Sequence, residues 1–416
     1  ALEKQGRLAS AAGAFLSSRA RCTFRKPREQ YPARVNPHNA FEKSMRATKV
    51  QFDKLIASQT ELSLIDGRTG RLFIRGVGIQ ELARDAEFED IFYLLLHGSL
   101  SRGREQEDFR RGFVDSRCLS ELSQTVLNCF PSHSRPIDVV KAVLAAEGAI
   151  WDDAKSELET MISCVATLPS IVAAVHRLRQ HLKPLPAVRE LGHAANFLYM
   201  LSGEKASEQH GKAMDIFMVL FLEHALNAST LNARVIASTG ATYYPAVIGA
   251  ICALQGPLHG GAPPLVLNQI DEALCAADIE KWCSDQLAKG LRLMGFGHPV
   301  YETIDPRSEI FKRMLQVLDS EMHAKAHDLE QRILSFLRDH KPEHPWLTNV
   351  EYYSALVLRS VGVPSDLMVT VFACARIAGW SAHIAEQRKQ QKSGLTGVMH
   401  PRSVYIGKGA AGAEFP

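Results

Sequence analysis

The sequence predicts an all-α fold with a small N-terminal β-hairpin, and three observations predict it. Most apolar segments are longer than a strand and carry helix punctuation at their ends. Convincing period-two alternation of apolar and polar residues occurs only once, early in the chain. Alternating strand–helix units are absent, which argues against a doubly wound sheet.

Taken in order, the stretch "ELSLIDGRTGRLFIRGVGI" alternates around Asp66-Gly67, a hairpin turn signature. Residues 88–97, "FEDIFYLLLH", form a strongly apolar run stopped by Gly98, which reads as a helix with a glycine C-cap. Residues 213–226 are apolar nearly all round and predict a central buried helix, closed by His224. Pro364-Ser365 opens a long helix running to about Arg388, since both residues suit a helix start. No fixed-period repeat, GxxxxGK[ST] loop or GxGxxG after a strand is present, so phosphate-loop and dinucleotide readings lose their support.

The chain has 416 residues, 46% hydrophobic and 22% charged, enough for a full-sized core in one large domain or two to three ordinary ones. A net charge of +3 gives no global pointer to nucleic acid. No run of eighteen uninterrupted apolar residues indicates a membrane span. Eight scattered cysteines without a CxxC pair fit reduced thiols in an intracellular enzyme better than a disulfide framework. Residues 1–46 carry ten Lys or Arg against three Glu, interleaved with Ala and Ser. This basic arm reads either as the remnant of an organelle presequence, mitochondrial for instance, or as a solvated arm.

Polar residues set in apolar or glycine-rich segments are the candidates for chemistry. His259 lies in "GPLHGGAPP", His298 in "MGFGHPVY" and His224 in "EHALNAST". Arg307 follows in "DPRSE", Arg376 interrupts "MVTVFACARIAGW", and Glu351 sits in "NVEYYSALVL". Each has a plain alternative: a turn histidine held by hydrogen bonds, half of a buried ion pair, or a carboxylate favoured by a helix N-terminus. No histidines pair at HxH or HxxxH spacing, which argues against zinc. Together the set suits removal of a proton beside a carbonyl in a multi-carboxylate substrate. A thioester α-proton is a very weak acid. Its removal needs a carboxylate base and a hydrogen-bond donor where the enolate oxygen develops. Arginine forks hold planar carboxylates.

Through these residues the sequence resembles the citrate synthase family. "IDGRTGRLFIRGVGIQELA", "RPIDVVKAVLAAEG", "HALNAST", "GPLHGGA", "GFGHPVYETIDPR", "NVEYYSALVLRSVGVPSDLMVTVFACARIAGWSAHIAEQR" and "HPRSVYIG" follow in the family's order across about residues 47–407. The resemblance implies a two-domain helical fold. A large domain would comprise 47–262 with 374–416, and a small domain 263–373, after the arm 1–46. It further implies a homodimer with active sites in the interdomain clefts, and domain closure on oxaloacetate that creates the acyl-CoA site. Oxaloacetate and acyl-CoA are the implied substrates, with no metal, no permanently bound cofactor, no nucleic acid and no membrane.

The same resemblance assigns roles. His259 would donate a hydrogen bond to the thioester oxygen of the enol. His298 would polarise the oxaloacetate carbonyl and protonate the new alkoxide. Glu351 stands where the family has the aspartate that takes the α-proton. His224, Arg307 and Arg376 match positions that hold oxaloacetate and citrate carboxylates. His400-Pro401-Arg402 stands where the family has Arg-Pro-Arg, whose first arginine reaches into the partner subunit. Glu302 replaces a base that helps with CoA phosphates in many relatives.

The extra methylene of Glu351 requires a reshaped pocket or slows citrate formation. "GFGHPVY" and Ala355 in "YYSA" resemble the 2-methylcitrate branch, so an alkylcitrate-forming enzyme is the leading expectation. The alternatives are an ordinary citrate synthase using acetyl-CoA and a catalytically silent homologue acting as a binding protein.

Overall fold

Asp66 sets how the front of the chain turns. Its Oδ1 accepts the backbone N–H groups of Arg68 and Thr69 at 3.1 Å each, and its Oδ2 accepts the Thr69 hydroxyl at 2.5 Å. The turn is therefore a four-residue loop, 67–70, and not the two-residue turn that Asp66-Gly67 predicts. In the computed structural model, which describes residues 56–100, 102–150, 155–297 and 300–401, strand β1 (Ser63–Asp66) pairs antiparallel with β2 (Arg71–Ile74). Ser63 lies opposite Ile74, and Asp66 opposite Arg71. A short β3 (Val77–Gly78) extends the hairpin into a three-stranded sheet of order β1-β2-β3. Leu72 and Ile74 are buried while Leu64 is exposed, which fixes the register by burying one face. The basic arm 1–46, His298 and Arg402 lie outside the described residues.

The remaining described elements are helical. First come α1 (Ile79–Asp85), α2 (Phe88–His97), α3 (Arg104–Asp115), α4 (Glu121–Asn128), α5 (Pro136–Ala149) and α6 (Glu157–Arg179). Then follow α7 (His193–Ser202), α8 (Glu208–Phe221), α9 (Ala228–Ser238), α10 (Tyr243–Leu254) and α11 (Ala262–Cys275). Last are α12 (Ile279–Ala288), α13 (Pro306–Leu318), α14 (Ser320–His340), α15 (Val350–Ser360) and α16 (Met368–Lys392). The α2 prediction holds to the residue: Gly98 takes φ 81° and returns its N–H to the Leu94 carbonyl. A 3-10 turn, Ser365–Leu367, leads into α16, so Pro364-Ser365 opens that helix as predicted.

One predicted boundary is corrected. The buried helix stops at Phe221, five residues before Leu226, and His224 lies beyond its end. Ala225 takes φ 51°, which a helix cannot continue through, and Asn227 then caps α9 by accepting the Thr230 N–H.

Helix α16 is the spine. It is buried along most of its length and packs on α2, α5, α6, α8, α9, α10 and α11. Helices α11 to α15 pack chiefly on one another and meet the rest through α8, α1 and α16. Two segments, Glu157–Arg179 and Ser365–Lys392, are long and apolar enough to cross a membrane, but 72% and 94% of their most apolar stretches are buried inside the fold. Such burial is what a helix that is apolar all round requires within a protein core.

Candidate active site

The end of α8 is the site's floor. A helix leaves its last carbonyls without partners, and here the Phe221 carbonyl accepts the Arg376 Nε–H from α16 at 2.5 Å. The Arg376 guanidinium also stands 4.9 Å from the Phe372 ring centroid. Burial pulls its pKa down to about 10, with Arg307 adding to that and Glu223 and Glu351 opposing it. Arg307, in the first turn of α13, lies over the Phe221 ring at 5.7 Å. Asp305, the N-cap of α13, accepts its Nε–H at 3.0 Å and its Nη2–H at 2.6 Å. Burial disfavours that guanidinium's charge, and Asp305 more than restores it. Both arginines are 2% exposed.

His224 sits in the turn after α8, its Nε2 3.3 Å from the Tyr301 hydroxyl. His259 occupies the turn between α10 and α11, where its N–H donates to the Gly256 carbonyl at 2.9 Å. Glycine follows because a Cβ at Gly260 would lie 2.5 Å from Leu254 Cδ1 and 2.8 Å from the Leu254 carbonyl oxygen. The His259 Nε2 is 2.8 Å from Ser229 Oγ. Trp380 Nε1–H donates to that same oxygen at 3.2 Å, while Asn227 Oδ1 is a second acceptor for its proton at 2.8 Å. When Ser229 donates to His259, the imidazole proton resides on Nδ1. Burial, with Arg376 adding to it, lowers the His259 pKa to about 4, so the ring is neutral at pH 7.

Glu351 stands in the first turn of α15, half-buried. Asn349 caps that helix by accepting the Glu351 N–H at 3.1 Å. Three bonds lace the residues before Glu351 to those before His298. Gly297 N–H donates to the Leu347 carbonyl at 2.7 Å, Asn349 N–H to Gly295 at 2.9 Å, and Asn349 Nδ2 to Gly297 at 3.1 Å. Burial raises the Glu351 carboxyl above its ordinary value, against the pull of Arg307 and Arg376. Arg307 lies over the Phe221 ring, Arg376 and His259 both meet the Phe372 ring, and those two rings are 4.7 Å apart, so the three side chains share one wall; Glu351 feels the charge of both arginines. His400 is exposed on this chain, and Glu302 is exposed as well.

Sequence reasoning missed the layer behind Arg376. Glu223 is 1% exposed, and its Oε1 accepts the Ser63 hydroxyl at 2.9 Å and the His383 Nε2–H at 3.0 Å. The His383 tautomer follows from its other side, where the always-protonated Arg234 Nη1 donates to Nδ1 at 3.1 Å. Arg234 also donates to Glu386 Oε2 at 2.6 Å and to Gln387 Oε1 at 3.1 Å. Burial would raise the Glu223 carboxyl, but His383, Arg376 and Ser63 hold it below its ordinary value. Glu223, Arg234 and His383 each break an apolar stretch, but their partnership spans 149–160 residues of chain and leaves no local pattern to read. Among the described residues no group of three or more His, Cys, Asp or Glu is arranged to hold a metal ion.

A carboxyl with a raised pKa, a neutral imidazole and two buried guanidiniums are the group types that an enzyme removing a proton beside a carbonyl of an anionic substrate calls for. Residues 51–402 match the family profile described as "Citrate synthase, C-terminal domain". The citrate synthase of Synechocystis is 34% identical over 84% of this chain and 89% of that protein. The citrate/2-methylcitrate synthase of Bacillus subtilis is 32% identical over 86% and 95%. Among solved structures, the Thermoplasma acidophilum citrate synthase, a ternary complex with carboxymethyl coenzyme A and oxaloacetate, is 29% identical with a TM-score of 0.79 over 86% of this chain and 95% of that one. The chain belongs to the citrate synthase family, whose reaction condenses oxaloacetate with an acyl-CoA.

Proposed function

We propose that this chain condenses oxaloacetate with an acyl-CoA longer than acetyl-CoA, releasing a 2-alkylcitrate and free CoA. The observation that carries the reaction is the grouping of Glu351, His259, Arg307 and Arg376, with Glu351 laced to the residues before His298. The Glu351 carboxylate takes the α-proton, while His259, neutral at working pH, donates a hydrogen bond to the thioester oxygen as it gains enolate charge. The α-carbon then attacks the oxaloacetate carbonyl, and His298 protonates the resulting alkoxide. Water then adds to the thioester carbonyl and gives a proton back to His298, while CoA leaves as a thiolate that takes the proton held by Glu351. Arg307, Arg376 and His224 grip the substrate carboxylates.

In the same reading, residues 263–373 form a small domain that closes on oxaloacetate. The chain pairs as a homodimer, with His400 and Arg402 reaching the partner's site. The exposure of His400 on this chain agrees with such a reach.

Chain length is read from Glu351, Ala355 and "GFGHPVY", and the match to a citrate/2-methylcitrate synthase supports it. The test is thiol release across acetyl-, propionyl-, butyryl- and hexanoyl-CoA, run beside Glu351→Asp. An optimum at propionyl or beyond is expected, moving toward acetyl in the variant. An acetyl optimum in the native chain assigns it as an ordinary citrate synthase. Silence toward every acyl-CoA, with turnover restored by Glu351→Asp, assigns a silenced homologue.

A further inference from the structure

The irregular segments that carry the site histidines must find partners for their backbone groups, and the front sheet supplies several. At its open end, the Ser63 hydroxyl accepts the Ala225 N–H at 3.2 Å and donates to Glu223 at 2.9 Å, holding both neighbours of His224. At its tip, the Gly67 carbonyl accepts the Glu302 N–H at 2.9 Å, four residues after His298 in the chain. Tyr301, beside Glu302, reaches His224 itself at 3.3 Å.

Sterics at the tip point the same way. A Cβ on Gly67 would lie 2.1 Å from the Val300 carbonyl oxygen. On Gly70, already at φ 65°, it would lie 2.7 Å from the Ile304 carbonyl oxygen and 2.8 Å from Thr303 Cγ2. Backbone therefore meets backbone across this contact, with only the stiff β-branched Thr303 side chain beside it and little to absorb an error. The base of the sheet is fixed. Leu62, Leu72 and Ile74 are buried, Glu61 N–H donates to Glu386 at 2.8 Å, and Arg75 holds the Leu95 carbonyl through two bonds.

We propose that the front sheet is a positioning element for oxaloacetate, its tip and first strand holding the His224 turn and the segment after His298 in one mutual geometry. Ser63 and Gly67 are its positioning residues. The inference rests on the placement of His224 and His298 at oxaloacetate proposed above.

Gly76 supplies the comparison, because it lies in the turn between β2 and β3 at φ 83° with nothing within 4 Å of its would-be Cβ. Gly76→Ala strains the sheet without touching either histidine segment. Oxaloacetate KM, kcat, calorimetric Kd and Tm are measured for native chain, Gly67→Ala, Ser63→Ala, Ser63→Thr and Gly76→Ala. The expectation is that Gly67→Ala and Ser63→Ala raise oxaloacetate KM and Kd about tenfold, an effect of about 1.4 kcal/mol, with kcat largely kept. Ser63→Thr, which keeps the hydroxyl, restores the native values, and Gly76→Ala lowers Tm alone. An unchanged KM in the tip variants, or a rise shared by Gly76→Ala, overturns the proposal. Should Gly67→Ala fail to fold, the Ser63 pair decides by the same criteria. A native chain that binds oxaloacetate and releases thiol only in its presence keeps the functional reading whichever way the variants fall; one that does neither removes both.

Discussion

Arg307 and Arg376 are each 2% exposed and held before any substrate arrives, one by Asp305 and the other by the Phe221 carbonyl. His259, in its glycine-rich turn, and Glu351, beside the Asn349 cap, are only half-buried, and burial shifts both toward their neutral forms. The two halves of the site follow different electrostatic plans. On the side proposed to hold carboxylates both cations stay charged despite burial, Arg307 through Asp305 and Arg376 with a pKa of about 10, so that side can bind an anion with little reorganisation. On the proton-handling side, shifted pKa values keep groups ready to exchange a proton or donate a hydrogen bond. The sheet and the Glu223–His383–Arg234 layer support the first side, whereas Ser229 and Trp380 support the second.

This contrast breaks most sharply at Glu351. Glu351→Gln keeps shape and removes the base, so kcat is expected to fall about 10²–10⁴-fold while oxaloacetate Kd stays within error. A parallel loss of oxaloacetate binding would move Glu351 to the carboxylate-holding side. His259→Gln comes next, with kcat lowered about 10²–10³-fold and oxaloacetate Kd kept, measured by steady-state kinetics beside calorimetry.

Arg307→Leu should show the opposite pattern. It leaves the buried Asp305 carboxylate uncompensated, so unfolding free energy is expected to drop by about 3–5 kcal/mol in urea melts, and oxaloacetate binding to weaken with it. Stability unchanged in this variant would mean that Asp305 has another partner.

The smallest effect is a pH signature. His259 has a folded pKa of about 4 against an ordinary 6.5, so the unfolded chain binds the proton more readily. Its contribution is fully present above pH 6.5 and is lost as pH falls from there toward 4, at no more than about 1.4 kcal/mol per pH unit. In His259→Gln the Tm decline over that window should be shallower than in the native chain. Identical slopes would mean that His259 titrates normally. For Glu351 the raised pKa puts the acid limb of kcat/KM above the ordinary carboxylate range, since the base works only when ionised.

Much of this was legible in the sequence because local chemistry decided it. Gly98 ends α2 by its left-handed conformation, and Pro364-Ser365 precede α16, as read from residue type. The hairpin was legible from alternation, but its turn was not, because the Asp66 side chain rather than the Asp-Gly pair sets the loop length. The end of α8 was misread for a tertiary reason. Leu222 and Leu226 continue the apolar pattern, yet Arg376, 155 residues away, takes the Phe221 carbonyl, and Ser63 takes the Ala225 N–H. At the site, Arg307, Arg376, His259 and Glu351 stood out as polar residues in apolar or glycine-rich settings. Their supports did not, since Glu223, Arg234 and His383 meet only across 149–160 residues of chain.

The most direct test of the central claim is thiol release from propionyl-CoA by the native chain, followed with and without oxaloacetate. Release that requires oxaloacetate, in step with formation of a tricarboxylate product, is the expected result. Equal release in its absence would mark a simple thioesterase, and either that or no release from any acyl-CoA would contradict the condensation reading.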